Sequence, residues 1–264
     1  RDSKNGGAWM SNFVEQSHLM GTKPVIVNCF NYQKPAPGKP SLISYDDVST
    51  MFHEFGHSIH GMFADQKYPS LSGTNVPRDF VEFPSQINEH FALEPEILKN
   101  YALHYQTKKP IPQPLVDKIR KAATFNQGYM TTELVSAAMN DMEWHSITNE
   151  SQLKPVLDFE KDALIKNGFI LSAVPPRYHT PYFAHIWGGG YSAGYYAYIW
   201  SETLDSDAWE WIKAHGGVTR ANGDRFRKEI LSIGNSKDLN QAYRDFTGRN
   251  PDIKPLLRNR GFIK

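Results

Sequence analysis

The stretch His53-Glu54-Phe55-Gly56-His57 is the starting point for interpreting this sequence. It has the pattern H-E-x-x-H, and residues i and i+4 of a helix lie on one face. His53 and His57 can therefore bind one metal ion together. Glu54 lies about 100° further round the helix, where it can reach a water molecule beside the metal. The spacing predicts a helix that carries a zinc site.

Apolar residues recur at helical spacing on both sides of this motif. Wound at about 100° per residue, they form a stripe roughly opposite the two histidines. This apolar stripe consists of Val48, Met51, Phe52, Phe55, Ile59, Met62 and Phe63. We expect it to pack in a core while the opposite face holds the metal. The alternative is an ordinary helix with two surface histidines, because a chain of this length matches H-E-x-x-H by chance roughly once in fifty times.

Composition excludes several classes of protein. The chain has 264 residues and a net charge of +1, so we expect neither nucleic acid nor a membrane surface as a partner. Its single cysteine, Cys29, excludes a disulfide scaffold and a cysteine-based zinc ribbon. No apolar run approaches the roughly 18 residues of a membrane span. We take a cytoplasmic location as the working prediction.

The order of patterns along the chain predicts a mainly α fold with a small β-sheet. Residues 1–22 read as an irregular lead-in, and Pro24–Phe30 reads as a strand. That strand is either an internal strand or an edge that takes up an extended substrate. Ser44 or Asp46 is expected to cap the H-E-x-x-H helix.

A second helix is predicted over residues 78–90, opened by a capping box of Asp79 and Glu82, with Pro84 in its first turn. Further helices are predicted at 115–124, 128–145, 153–166, from Tyr191 onward, 207–215, 223–231, 239–246 and 253–260.

Glu82 is the candidate for the third metal ligand. A catalytic zinc takes three protein ligands and keeps one position for water, and Glu82 lies on the next predicted helix, 25 residues after His57. Glu54 is then the general base. His60 shares the ligand face, but we interpret it as a neighbour of the site. Glu89 lies on the same helix face as Glu82 and is the best candidate to orient a ligating histidine.

Aromatic residues late in the chain are candidates for substrate contact. Tyr191, Tyr195 and Tyr198 form one stripe after the Gly188–Gly190 triplet, and His185 precedes it. A tyrosine hydroxyl or the imidazole could donate a hydrogen bond to an oxyanion. The alternative is a buried aromatic stripe with no role in catalysis. We count Tyr195, Gly189 and Gly190 among the expected substrate-binding residues.

These segments resemble the thimet oligopeptidase family of zinc peptidases. The resemblance extends along nearly the whole chain and is carried by Phe52–His57, Ser72–Thr74, Asp79–Gln86, His185–Tyr191, Tyr195–Glu202 and Arg249–Gly261. Within that family, Phe83, Ile87–His90 and His57–Gly61 look most similar to the bacterial peptidyl-dipeptidase (dipeptidyl carboxypeptidase) branch.

The resemblance implies zinc on His53, His57 and Glu82, with Glu54 as the base. It also implies that His185, Tyr191 and Tyr198 contact substrate and stabilise the oxyanion. The implied fold is the zincin-like (gluzincin) catalytic lobe of a two-lobed helical peptidase that acts on short peptides. Family members are much longer, so we expect residues 1–264 to be a catalytic fragment whose N-terminal lobe is absent.

Three functions remain open. The first is a zinc metallopeptidase that releases dipeptides from peptide carboxyl termini. The second is an oligopeptidase with the same chemistry that cleaves inside short peptides. The third is a non-catalytic module that binds peptide or metal, against which the intact Glu54 argues, since such a module needs no base.

Overall fold

The computed structural model describes residues 6–264, and the fold over this range is mainly helical. The strands β1 (Trp9–Val14) and β2 (Val25–Cys29) form one small antiparallel sheet. The α-helices of the described residues are α1 (Tyr45–Met62), α2 (Arg78–Glu89), α3 (Pro95–Tyr101), α4 (Gln113–Ala122), α5 (Gln127–His145), α6 (Val156–Lys166), α7 (Ala184–Trp187), α8 (Ala197–Ala214), α9 (Arg220–Phe226), α10 (Leu239–Thr247) and α11 (Lys254–Asn259). The predicted class, mainly α with a small sheet, is confirmed.

Strand β1 lies where the sequence predicts irregular structure, so that prediction is wrong for Trp9–Val14; residues 1–5 lie outside the described residues. The predicted strand at 24–30 is confirmed as β2. Ser11 pairs with Val27, and the register shifts between Asn12 and Val14. Polar residues interrupt the apolar alternation of β1, so its own pattern is weak without the partner strand.

Helix α1 packs against α2 and the sheet through glycines. A Cβ atom on Gly56 would lie 2.7 Å from the Cα atom of Ser85 in α2, and one on Gly61 would lie 2.6 Å from Cδ1 of Ile26 in β2. At Gly56 only glycine allows the two helix backbones to approach this closely, whereas Gly61 makes room for side chains of the sheet. Ser44 caps α1, its hydroxyl accepting a hydrogen bond from the Asp47 backbone N–H at 3.0 Å. The two glycine contacts set the distance from α1 to its neighbours.

The apolar stripe of α1 does not pack as predicted. Phe55, Met62 and Phe63 are 48%, 44% and 37% exposed, so the expectation of a core face is wrong for these three. The buried residues of α1 are instead Glu54, Gly56, Ser58, His60 and Gly61. Periodicity shows which residues share a helix face, but it does not show which face meets the rest of the chain.

Helix α2 begins without a side-chain cap, after Pro77, so the predicted capping box is wrong. Asp79 lies inside the first turn, where its carboxylate accepts a hydrogen bond from the Tyr196 hydroxyl at 2.8 Å. Pro84 lies in the helix interior rather than in the first turn. Because proline has no N–H, the carbonyl of Phe80 lacks its helical donor there.

The main hydrophobic core surrounds α2 and the carboxyl-terminal helices. Its largest buried members are Phe80, Phe83, Ile87, Leu204, Trp209, Ile212, Ile230, Tyr243 and Phe246. Asp207 is fully buried at the edge of this core and accepts hydrogen bonds from the Tyr243 hydroxyl at 2.6 Å and from both Arg249 terminal nitrogens at 2.7 Å. A second apolar cluster joins α5 to Phe183, Ile186 and Tyr195.

Most later helices agree with the sequence pattern, with one difference that affects the site. The helix predicted from Tyr191 begins only at Ala197, and it continues without a break through the predicted 207–215 helix to Ala214. Tyr191 and Tyr195 therefore lie ahead of this helix, Tyr195 in a turn and Tyr191 in a segment without regular structure. In the part of the chain that the structure describes, no helix is both long enough and apolar enough to cross a membrane.

Candidate metal centre

Helices α1 and α2 bring three metal-binding side chains together. The Nε2 atoms of His53 and His57 lie 3.1 and 3.2 Å from Oε2 of Glu82. In a tetrahedral zinc site with bonds of about 2.0–2.1 Å, neighbouring ligand atoms lie about 3.3 Å apart. The distances therefore fit a divalent ion held by two imidazoles and one carboxylate, and the three residues form a group that could hold a metal.

Glu89 contacts the first of these histidines from the other side. Its Oε1 atom lies 2.7 Å from His53 Nδ1, and its Oε2 atom accepts a hydrogen bond from the Ser49 hydroxyl at 3.0 Å. This geometry fixes the ring so that Nε2 points at the metal position. The corresponding Nδ1 atom of His57 is buried and has no hydrogen-bond partner among the described residues.

The charges of the site favour binding of a cation. Burial lowers the pKa of His53, but the hydrogen bonds that it donates to the Glu82 and Glu89 carboxylates, together with their charges, outweigh it and raise the pKa to about 10. Burial raises the pKa of Glu82, but His57 and His53 outweigh it and hold that pKa well below its usual range. Without metal, a proton on His53 therefore neutralises this carboxylate. A metal ion would displace that proton, as ligation of imidazole requires.

Glu54 lies beside the ligands without joining them. It is only 6% exposed and lines the cleft next to His53 and His57. Burial raises the pKa of its carboxyl group, although the two histidines oppose this shift. No hydrogen bond from the described residues restrains the carboxylate oxygens, and Asn28 and Ser58 donate instead to the backbone carbonyl of Glu54. The side chain is available to accept a proton from a molecule in the cleft.

The cleft above the candidate metal centre has a volume of about 560 Å³. One wall is β1, whose residues Trp9–Asn12 line it, and the opposite wall carries His185, Tyr191 and Tyr198. One of the two interpretations of Pro24–Phe30 is a strand edge that takes up an extended substrate, but β2 does not line this cleft. Any extended ligand paired to the sheet here would lie along β1, because β1 has no second partner strand among the described residues.

Three of the predicted substrate-binding residues, His185, Tyr191 and Tyr198, line the cleft, and Tyr195 does not. The Tyr191 hydroxyl donates a hydrogen bond to Oε1 of Glu82 at 2.5 Å, and the Tyr198 ring stacks on Tyr191 at 5.2 Å. Burial raises the pKa of both phenols, so both stay protonated and can donate. Burial lowers the pKa of His185, which keeps its imidazole neutral.

The remaining predicted substrate-binding residues lie outside the cleft lining. Tyr195 is 3% exposed and packs edge-on against Phe183 at 4.7 Å. The carbonyl of Gly190 accepts a hydrogen bond from Nε of Arg78, and Gly189 packs over the backbone of α7. The positions of these residues favour a supporting role over direct contact with a ligand.

The sequence-based predictions of site residues missed two residues that line the cleft. Arg78 lines the cleft with its guanidinium 4.7 Å from the Tyr191 ring, and Asn12 projects from β1 and donates to the Thr74 hydroxyl. Among the described residues, Arg78 is the only lysine or arginine in the lining. A single arginine or asparagine has no motif around it, so only the fold could reveal these two positions.

An H-E-x-x-H helix with a glutamate within reach on the next helix, in a mainly helical fold, is the arrangement typical of zincin-like metallopeptidases. The sequence description of peptidase family M3 matches residues 1–262, and the chain belongs to that family.

Curated relatives agree with this membership. The chain is 56% identical over 261 residues to dipeptidyl carboxypeptidase from Escherichia coli (strain K12), covering 99% of this chain and 38% of that protein. It is 35% identical over 268 residues to oligopeptidase A from Salmonella typhimurium, covering 99% and 39%. It is 32% identical over 271 residues to saccharolysin from Saccharomyces cerevisiae, covering 99% and 37%. The chain thus spans well under half the length of the relatives it matches.

Proposed function

We propose that this chain is the catalytic region of a zinc metallopeptidase that releases dipeptides from the carboxyl termini of short peptides. The observation that carries the proposal is the convergence of His53, His57 and Glu82 on one point, with the unrestrained Glu54 carboxylate beside it. The identity of 56% to a protein named dipeptidyl carboxypeptidase supports the choice of product. The two imidazoles and one carboxylate support zinc, because this donor set leaves a position open for water.

The residues of this chain then have separate tasks. Zinc, when bound, would supply a Lewis acid and lower the pKa of a water molecule toward about 7. Glu54 accepts the proton of that water and later donates it to the leaving amine. Tyr198 and His185 donate hydrogen bonds to the oxygen that becomes negative during attack. Tyr191 orients Glu82 through its hydroxyl, and β1 aligns the peptide backbone.

The greater length of the relatives supports the presence of a further part of the same protein that packs against this region. In the proposed protein, residues 1–264 would pack with an N-terminal lobe of the same protein, which would form the other side of a deep cleft. Such a cleft admits short, unfolded peptides and excludes folded proteins. No nucleic acid or membrane surface has a part in this proposal.

Blocking the substrate's carboxyl terminus distinguishes the two kinds of cleavage. We expect a free peptide to lose its last two residues, and the same peptide with a carboxyl-terminal amide to react about 10- to 150-fold more slowly, because hydrogen bonds to a charged group contribute about 1.5–3 kcal/mol. Mass spectrometry of the products from both peptides measures this. Equal cleavage of the two peptides at internal bonds would instead support the oligopeptidase function, which the name of the 35% identical relative favours.

Removing metal with a chelator tests the metal requirement. We expect hydrolysis to stop in the chelated protein and to return when zinc is added at one ion per chain, because Glu54 alone cannot make water sufficiently nucleophilic. Peptide turnover and bound zinc are measured on the same samples. Turnover that persists without metal contradicts the proposed mechanism, and zinc binding at one ion per chain without any hydrolysis favours the non-catalytic function.

A further inference from the structure

The segment that presents Tyr191 to the metal centre has little regular structure of its own. We name residues 188–196 the tyrosine loop; it joins α7 to α8 and begins with Gly188, Gly189 and Gly190. Consecutive glycines lower the cost of other backbone conformations, so such a segment needs external contacts to hold one geometry. The geometry matters here because the Tyr191 hydroxyl lies 2.5 Å from Glu82 and Tyr198 lies in the first turn of the following helix.

A fully buried carboxylate on α5 supplies contacts of this kind. Asp141 is 0% exposed, and its Oδ1 and Oδ2 atoms accept hydrogen bonds from the backbone N–H groups of Ala193 and Tyr195, both at 2.9 Å. Ala193 has a φ of 54°, in the left-handed region that residues other than glycine seldom adopt. The carboxylate therefore stabilises a backbone turn that Ala193 would otherwise avoid.

His145 contacts Asp141 from the same helix. Its Nδ1 atom, one turn further along α5, is hydrogen-bonded to the backbone carbonyl of Asp141 at 2.9 Å and lies 2.8 Å from Asp141 Oδ1. The His145 ring also contacts Trp187 of α7, with ring centroids 5.5 Å apart. The Asp141 carboxylate is thus held by two backbone donors of the tyrosine loop, with the His145 ring beside it, and it does not line the metal cleft.

The chain just ahead of α7 is anchored in a similar way by α6. Glu160, which is 5% exposed, accepts hydrogen bonds from the Thr180 backbone N–H at 2.8 Å and from the Thr180 hydroxyl at 2.9 Å. The segment between the two positions that these carboxylates bind, Thr180 and Ala193, contains His185 and Tyr191. Helices α5 and α6 pack together, so Asp141 and Glu160 belong to one packed pair of helices.

We propose that Asp141 is a positioning residue for the peptidase reaction, acting through Tyr191, Tyr195 and Tyr198. Its two hydrogen bonds set the loop so that the Tyr191 hydroxyl meets Glu82 and the Tyr198 hydroxyl faces the cleft. The inference rests on the proposed function, since positioning is measured by its effect on hydrolysis. Asp141 touches neither substrate nor metal in this account.

Asp141→Asn is the direct test, because the amide keeps the shape but can accept from only one of the two backbone N–H groups. In the full natural polypeptide that carries this sequence, we expect kcat to fall about 10- to 100-fold with zinc content unchanged, since displacement of a catalytic group by about 1 Å can lower rates 100-fold. Asp207→Asn is the matched control: it is an equally buried carboxylate whose partners are Tyr243 and Arg249. A loss of kcat that is no larger in Asp141→Asn than in the control overturns the inference.

A double-mutant cycle separates positioning from general loss of stability. If Asp141 acts through the tyrosines, Asp141→Asn should lower kcat by less than about threefold in a protein that already carries Tyr198→Phe, because the effects of coupled residues are not additive. Losses that multiply fully in the double variant contradict the inference. If Asp141→Asn does not fold, His145→Asn replaces it. We expect a fall in kcat of about 2- to 10-fold, because the contact of the His145 ring with Asp141 Oδ1 is lost; an unchanged kcat in His145→Asn contradicts the inference.

Hydrogen exchange separates failure of this inference from failure of the proposed function. Backbone amides of residues 188–198 should exchange faster in Asp141→Asn than in the parent protein, while those of α1 and α2 should not change. If the parent protein hydrolyses no peptide, the proposed function fails, and exchange alone decides whether Asp141 holds the loop. If the parent is active and exchange in the loop is unchanged by Asp141→Asn, the inference about Asp141 fails alone.

Discussion

Replacing Glu54 with Gln should reduce peptide turnover by about 10²- to 10⁴-fold, the range that a general base contributes, while zinc stays bound. The amide keeps the size of the side chain but cannot take a proton from water. Glu54 is not among the three residues that could hold the metal, so the substitution leaves the ligand set intact. The measurement is kcat with a defined short peptide, together with zinc content per chain.

The control for this variant is Glu15→Gln. Glu15 also lines the cleft and is also a carboxylate whose pKa is raised by burial, but it lies on the β1 side. We expect turnover in this control to stay within a few-fold of the parent. Full activity of Glu54→Gln, or equal losses in the two variants, would show that Glu54 is not the base.

Replacing Gly56 with Ala should strongly weaken both zinc binding and folding, although Gly56 touches no metal. The added Cβ atom would lie 2.7, 2.8 and 2.9 Å from Ser85 Cα, Pro84 O and Asn88 Cβ. Two of these are backbone atoms of α2, so the helices must separate. Overpacking of this kind destabilises proteins by about 1–3 kcal/mol or more. Separation also pulls Glu82 away from His53 and His57.

Denaturant unfolding with and without zinc, and zinc affinity by titration, measure the two effects of Gly56→Ala. Gly223→Ala is the control, because Gly223 lies in α9 with nothing within 4 Å of an added Cβ atom. We expect that control to be stabilised by about 0.5–1 kcal/mol, as an alanine in an open helical position usually is. A Gly56→Ala variant with unchanged stability and zinc affinity would refute the packing account of this site.

The sequence predicts the metal ligands better than it predicts the packing around them. The spacing of His53 and His57 is local and depends only on helix geometry. The prediction of Glu82 as the third ligand needed the order of helices along the chain and the resemblance to known peptidases. The Glu89 contact with His53 followed from the helix face shared with Glu82, since residues seven apart in a helix point in nearly the same direction. Whether these residues bind zinc stays a prediction.

Contacts between distant segments could not be predicted from the sequence. The pattern of β1 is interrupted by Ser11 and Asn12, and its strand form depends on pairing with β2. The apolar stripe of α1 predicted a core face, but the close contacts of that helix are made by glycines instead. Asp141 lies 52 residues from Ala193 in the chain. A lone aspartate in a helical pattern reads as a solvated charge, so its buried role is visible only in the fold.

X-ray absorption spectroscopy of the zinc-loaded protein tests the central claim most directly. The account predicts one zinc ion with two imidazole nitrogens, one carboxylate oxygen and one water oxygen at about 2.0–2.2 Å. It also predicts that Glu82→Ala loses the carboxylate contribution, while Glu89→Ala keeps the same set of ligand atoms. A site closed by a fourth protein ligand, or a spectrum unchanged by Glu82→Ala, would contradict it.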